Sequence, residues 1–157
     1  GPKLDKLAYE GKNTYNLPIP LKDDSYNFSF SGLKSAVINL AHNEEQRGNE
    51  IRKYDLARSF QDVAFDQVIR KTRLAIERYD IKRVIVAGGV SASKKLRELM
   101  QELCQEMNVD LSIPPMRYCT DNATMIACAA YPQFIRGDFS DLSLRAKSQE
   151  YFFKDSN

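Results

Sequence analysis

Several chemistries are missing from this chain before any is plentiful. It has 1 histidine, His42, and no tryptophan. A zinc protease motif of the His-Glu-x-x-His kind needs two histidines one helical turn apart, so this sequence cannot form one. A Ser-His-Asp triad would have to use His42, whose neighbours Ala41, Asn43 and Glu44 read as a fraying helix end. A solvated helix terminus is the better reading of that imidazole. Cysteine is scarce and odd in number, 3 in 157 residues, which argues against a disulfide scaffold and for a reducing, cytoplasmic setting. Only 7 glycines and 6 prolines accompany 43% hydrophobic and 28% charged residues, so low-complexity, collagen-like and wholly disordered architectures fall away. The longest purely apolar runs, such as Val84-Ile85-Val86-Ala87, are too short to span a bilayer. No charged-then-apolar leader opens the chain, so nothing in it predicts secretion. The balance of 23 Lys+Arg against 21 Asp+Glu leaves +2, too near neutral to argue for nucleic acid from charge alone.

What is present suits one α/β domain or a large piece of one. Residues 3–10 predict a short helix stopped by Gly11, and residues 12–25, with Pro18 and Pro20, predict a loop. Tyr26, Phe28 and Phe30 alternate with Asn27, Ser29 and Ser31, which is strand periodicity with the aromatics as core. A helix follows on Leu33, Ala36, Val37, Leu40 and Ala41, and a polar turn at 43–49. The longest helical stripe covers about 50–79, free of Gly and Pro. Lys82 to Ala87 then switches to a β-branched run that predicts a strand buried on both faces, ended by Gly88-Gly89. A helix at about 92–107, a strand at Val109 to Ile113 and a loop at 116–120 come next. Asp121 opens an apolar helix that Pro132 should kink or end, and a polar tail with a Tyr151-Phe152-Phe153 cluster closes the chain. The segments are therefore 1–80, helical with a short aromatic strand; 81–136, strand-helix-strand-helix; and the tail 137–157.

Three places could carry chemistry, one of them Phe28-Ser29-Phe30-Ser31-Gly32-Leu33-Lys34, an aromatic strand turning into a helix at glycine whose alternation more often marks core. Strand, Gly-Gly and helix at Val84 to Arg97 would let backbone approach a nucleotide closely and offer free helix amides, although a plain tight turn reads the same way. At Cys119-Thr120-Asp121-Asn122, Thr120 or Asp121 could cap a helix. Asp121 could equally hold a metal, yet one carboxylate makes no metal site. Cys104 and Cys128 read as core, and the basic clusters Arg70-Lys71-Arg73 and Lys94-Lys95-Arg97 as solvated helix faces.

Taken in order, four blocks resemble one family. They are Gly-Pro-x-Leu-Asp from Gly1, Phe-Ser-Phe-Ser-Gly-Leu-Lys from Phe28, Val-Ala-Gly-Gly-Val-Ser-Ala from Val86, and Cys-Thr-Asp-Asn-Ala-x-Met-Ile-Ala from Cys119. The family is the tRNA N6-adenosine threonylcarbamoyltransferases, called TsaD in bacteria and formerly O-sialoglycoprotein endopeptidases. The likeness runs from residue 1 to about 148. It implies the C-terminal portion of an actin-like ATPase, a ribonuclease-H-like lobe, helix-rich here with a small, incomplete sheet.

The same resemblance implies transfer of threonylcarbamoyl from threonylcarbamoyl-adenylate to N6 of the tRNA adenosine beside the anticodon. It implies substrate contacts at Gly1, Asp5, Gly88 and Gly89, and at Ser93, where the family commonly carries asparagine. Asp121 matches an aspartate that completes a divalent metal site, iron or zinc, with two histidines. Those histidines have no counterpart here, so the chain is expected to be a fragment that is inactive alone, its metal position empty. TsaB and TsaE-type partner proteins follow from the family, and self-association from an unpaired edge at Val84 to Ala87. The alternatives are a noncatalytic interaction module and a metalloendopeptidase, the older family label. A sugar-kinase relative would share the fold without explaining the Cys-Thr-Asp-Asn block.

Overall fold

The computed structural model describes residues 1–145; the Tyr151-Phe152-Phe153 cluster lies outside them. Two compact units emerge, Gly1–Asp121 and one that starts at Asn122. The spine of the first is the helix α3, Lys53–Tyr79. Asp55 in its first turn and Arg78 in its last complement the helix dipole. Asp80, at φ 50°, ends it in the left-handed region. Helix α1, Pro2–Glu10, starts on a proline, whose missing amide no helix start needs. Gly11 then passes so close to α3 that a Cβ there would lie 2.0 Å from the Tyr54 carbonyl oxygen. Its φ of −91° suits any residue; the contact alone requires glycine. Helix α2, Phe30–Gln46, reaches α3 through an apolar cluster of Leu17, Leu33 and Ala64, flanked by Val37, Leu40, Phe60 and Val63. Full burial of a side chain such as Leu33 is worth about 1.5–3 kcal/mol.

The loop expected at 12–25 is irregular as read, and α3 supplies the hydrogen bonds its backbone lacks. Asp55 accepts from the Lys12 amide at 2.8 Å, and buried Ser59 Oγ from the amides of Thr14 and Tyr15 at 3.2 and 3.0 Å. Gln67, wholly buried, accepts from the Ser29 amide at 2.8 Å. Arg70 donates to the Leu21 carbonyl at 3.1 Å. Lys71 Nζ donates to the Asp23 carbonyl at 2.6 Å, to its carboxylate at 2.9 Å, and to the Ser25 carbonyl.

The second part of this unit is a β-α-β turn of chain. Strands β1, Arg83–Ile85, and β2, Asp110–Ser112, pair in parallel with Val84 opposite Leu111. Helix α4, Lys94–Glu106, connects them. Val84, Val86 and Leu111 turn one face of the sheet onto Phe65, Leu96 and Met100. The unit beginning at Asn122 holds helix α5, Ala123–Arg136, capped by Asn122, whose side chain accepts from the Met125 amide at 3.2 Å. Among the described residues no helix is long and apolar enough to cross a membrane.

Several expectations change. No strand forms at 26–30: Phe30 already belongs to α2, and Ser29 is the residue before it, its amide held by Gln67. Phe28 and Phe30 are about half exposed and stack on each other at 5.8 Å, so their alternation marks a helix entry instead of a core strand. The turn read at 43–49 starts later, because α2 continues to Gln46. The strand at 82–87 is shorter and buried on one face only, with Ile85 72% exposed; helices cover a single side of the sheet. Lys71 is 3% exposed, not on a solvated face, since carbonyls of the loop surround its ammonium. Arg97 is likewise turned inward, onto backbone carbonyls. Cys104 is buried as expected, but Cys128 is exposed, because α5 buries none of its residues. Pro132 does not end α5, which runs on to Arg136 and stops at Gly137, φ 69°.

Candidate functional site

The glycine turn after β1 is built from three local choices. Gly88 takes φ 88°, a conformation that side-chain-bearing residues rarely adopt. Residues Gly89–Ala92 then make one 3-10 turn, closed by Ser91, whose amide and hydroxyl donate to the Gly88 carbonyl at 3.0 and 2.6 Å. Ser93 ends the turn and caps α4 by accepting from the Leu96 amide at 3.4 Å. A Cβ added at Gly88 or Gly89 would meet nothing within 4 Å. The space over both glycines is open.

Ser93 also donates its hydroxyl proton to Asp5 Oδ1 at 2.6 Å, and Gln61 of α3 donates to the same oxygen at 2.6 Å. Asp5 in turn belongs to the first turn of α1, its amide donating to the Gly1 carbonyl at 3.1 Å. Gly1 and Asp5, which share one sequence block, and Ser93, which follows another, are thus one continuous chain of bonds leading to the glycine turn. Asp121 stands apart from it. It is exposed and makes no hydrogen bond or ion pair with described residues, and the cap that sequence offered to it or Thr120 belongs to Asn122.

Residues 1–128 match the family TsaD, tRNA N6-adenosine threonylcarbamoyltransferase. The chain belongs to this family. Among curated threonylcarbamoyltransferases, that of Bacillus thuringiensis (strain Al Hakam) is 51% identical over 148 residues, 93% of this chain and 43% of its own length. Those of Staphylococcus haemolyticus (strain JCSC1435) and Streptococcus thermophilus (strain ATCC BAA-491 / LMD-9) are 47% and 48% identical over 149 and 148 residues. They are covered over 44% and 43% of their lengths. The chain therefore spans under half of the threonylcarbamoyltransferases it matches.

Asp121 makes no hydrogen bond with a described residue, and among the described residues no three His, Cys, Asp or Glu side chains gather as a metal site would require. His42 is solvent-exposed as expected, 3.0 Å from Gln46 Nε2, but it stands inside α2, which continues to Gln46, and not at a fraying end. A concavity of about 330 Å³ opens elsewhere, between residues 16–18 and the α2 face bearing Asn39, Asn43 and Arg47. It includes none of the glycine turn.

Sequence reasoning missed Gln61, Ser91 and Arg97. Gln61 and Asp5 lie 56 positions apart, and no local pattern signals such a pair. Arg97 stood in a basic cluster, where its neighbours Lys94 and Lys95 gave it the appearance of a surface residue. Its guanidinium donates to the Ser91 carbonyl at 2.6 Å and to the Pro114 carbonyl at 2.7 Å, and lies 3.1 Å from Cys119 Sγ.

Proposed function

We propose that this chain forms the adenylate-receiving face of a tRNA N6-adenosine threonylcarbamoyltransferase, acting within a longer enzyme. The observation that carries it is the Asp5–Ser93 bond, which joins the start of α1 to the open glycine turn across 88 sequence positions. Gly89 supports it. Its added Cβ would touch no described atom, so nothing in this chain stops a ligand from approaching the backbone there. On this reading the adenosine of threonylcarbamoyl-adenylate lies on Gly88 and Gly89, while Gly1, Asp5 and Ser93 orient its polar groups. The fold to which the unit belongs is a lobe of the actin-like ATPases, with helices on a parallel sheet.

The reaction moves the threonylcarbamoyl group to N6 of a tRNA adenosine. The amine nitrogen bonds to the carbamoyl carbon, the bond to the adenylate phosphate oxygen breaks, AMP leaves, and the amine gives up a proton. The chain's own residues bind and orient; holding the two partners in line is the principal contribution assigned to them. Asp121 is the residue here that would join a divalent metal, iron or zinc, which when bound supplies Lewis-acid polarisation of a carbonyl. TsaB and TsaE-type proteins as partners, and self-association through the second edge of β1, belong to the same reading.

The test replaces Gly89 by valine. The position is sterically open, so Gly89→Val should leave the thermal midpoint near that of the unmodified chain. Affinity for threonylcarbamoyl-adenylate, measured by calorimetry, should drop about tenfold or more as the side chain fills the approach. Unchanged affinity would remove the glycine turn from the substrate site. No threonylcarbamoyl transfer to tRNA is expected from the chain alone.

A further inference from the structure

We propose that Arg97 is a positioning residue that holds the glycine turn and the segment leading to Asp121 at one fixed spacing. A nucleotide settling on Gly88 and Gly89 is then felt at residues 114–119. The inference rests on the adenylate reading of the glycine turn and names a residue that this reading does not use.

The geometry is that of a clamp. Arg97 rises from the first turn of α4. Its Nε donates to the carbonyl of Ser91, within the 3-10 turn that starts at Gly89. Its Nη2 carries two protons, and it lies 2.7 Å from the Pro114 carbonyl and 3.1 Å from Cys119 Sγ. Those two acceptors flank a second 3-10 turn, Met116–Tyr118, and the farther one, Cys119, lies two residues before Asp121. One rigid planar group therefore touches both loops. Among the described residues no hydrogen bond directly connects the turn 88–92 with the segment 114–119. Lysine cannot replace the fork, because a single ammonium on a flexible stem has no fixed pair of directions. Bonds from a charged donor to backbone carbonyls are among the stronger ones in a protein. Cys119, 2% exposed, places the far end of the clamp in a dry setting where such bonds weigh more.

Hydrogen exchange on the whole chain tests it, with Arg97→Lys and Arg97→Met beside the unmodified protein. The Ser91 and Ser93 amides, bonded to Gly88 and Val90, report one turn; the Tyr118 and Cys119 amides, bonded to Pro115 and Met116, report the other. Both turns should exchange about tenfold faster or more in Arg97→Met and by less in Arg97→Lys, while α3 amides such as Leu74 keep their protection. Loosening of one turn alone, of neither, or of α3 to the same extent would overturn the clamp.

A second arm adds adenosine monophosphate. It should slow exchange at Tyr118 and Cys119 in the unmodified chain and fail to do so in Arg97→Met, since coupling needs an element that both sites bias. Equal slowing in both proteins would overturn the transmission. Should the nucleotide leave the Gly88 and Gly89 signals unmoved, the adenylate assignment itself falls, and with it the nucleotide half of this proposal. The first arm still decides the clamp.

Discussion

Asp121 and Asn122 are neighbours whose side chains use different properties, and two substitutions separate them. Asn122 caps α5 with its amide oxygen, so Asn122→Ala should lower stability by about 1 kcal/mol, read by urea denaturation. Asp121 bonds to no described residue, so Asp121→Asn should leave the same midpoint in place. The proposed metal role of Asp121 adds a second expectation, a lower metal content for the same change in the longer enzyme. Gly11 is the sharpest steric test. Its substitution by alanine drives a Cβ into the Tyr54 carbonyl and should cost about 1–3 kcal/mol, the range for overpacked sites. Asp23 gives a pH signature. The Lys71 ammonium, followed by Ser25, lowers its pKa from 3.8 to about 2. A carboxyl whose folded value is depressed adds stability that is complete above its ordinary value and vanishes as pH falls through the folded one. The stability difference between the unmodified chain and Asp23→Asn should therefore be constant above pH ~4 and shrink toward pH ~2. A difference that stays flat over this range would show that Asp23 and Lys71 are not coupled.

At the scale of elements, α3 does for residues 12–29 what a sheet would otherwise do, and its polar side chains serve as hydrogen-bond partners for an irregular backbone. Ser59→Ala should remove the acceptor for two amides and the donor to the Asp55 carbonyl, destabilising the chain by about 1–3 kcal/mol. Hydrogen exchange at Thr14 and Tyr15 should rise with it. The helices α1, α3 and α4 were legible because their apolar stripes or stop signals are local, and the parallel strands were legible because a β-branched run precedes α4 and Pro114-Pro115 stops the short segment 109–113 after it. Less legible were features decided by partners far along the chain. Phe28 and Phe30 alternate as strand residues do, but no second strand takes up their backbone. Lys71 has nothing in its neighbourhood to show that the carbonyls of Asp23 and Ser25 will enclose it. In the candidate site, the glycine turn and the Asp5 block could be read as motifs, whereas their contact through Ser93 required the fold to bring α1 onto the cap of α4.

At the scale of the whole molecule, the family is shown by the match over residues 1–128, and the chain covers under half of its relatives' length. Among the described residues, strand β1 has one paired and one unpaired edge, with Ile85 72% exposed beside it. Light scattering should accordingly show a mass above 18.0 kDa that grows with concentration, and a monomer at every concentration would contradict this. The central claim is that Gly1, Asp5, the two glycines and Ser93 form one surface for threonylcarbamoyl-adenylate. It is tested most directly by following backbone amide signals while that adenylate is titrated into the chain. The expected result is that Asp5, Gly88, Gly89 and Ser93 shift together along one saturation curve. Shifts confined to Asn39, Asn43 and Arg47 around the other concavity, or none that saturate, would contradict it.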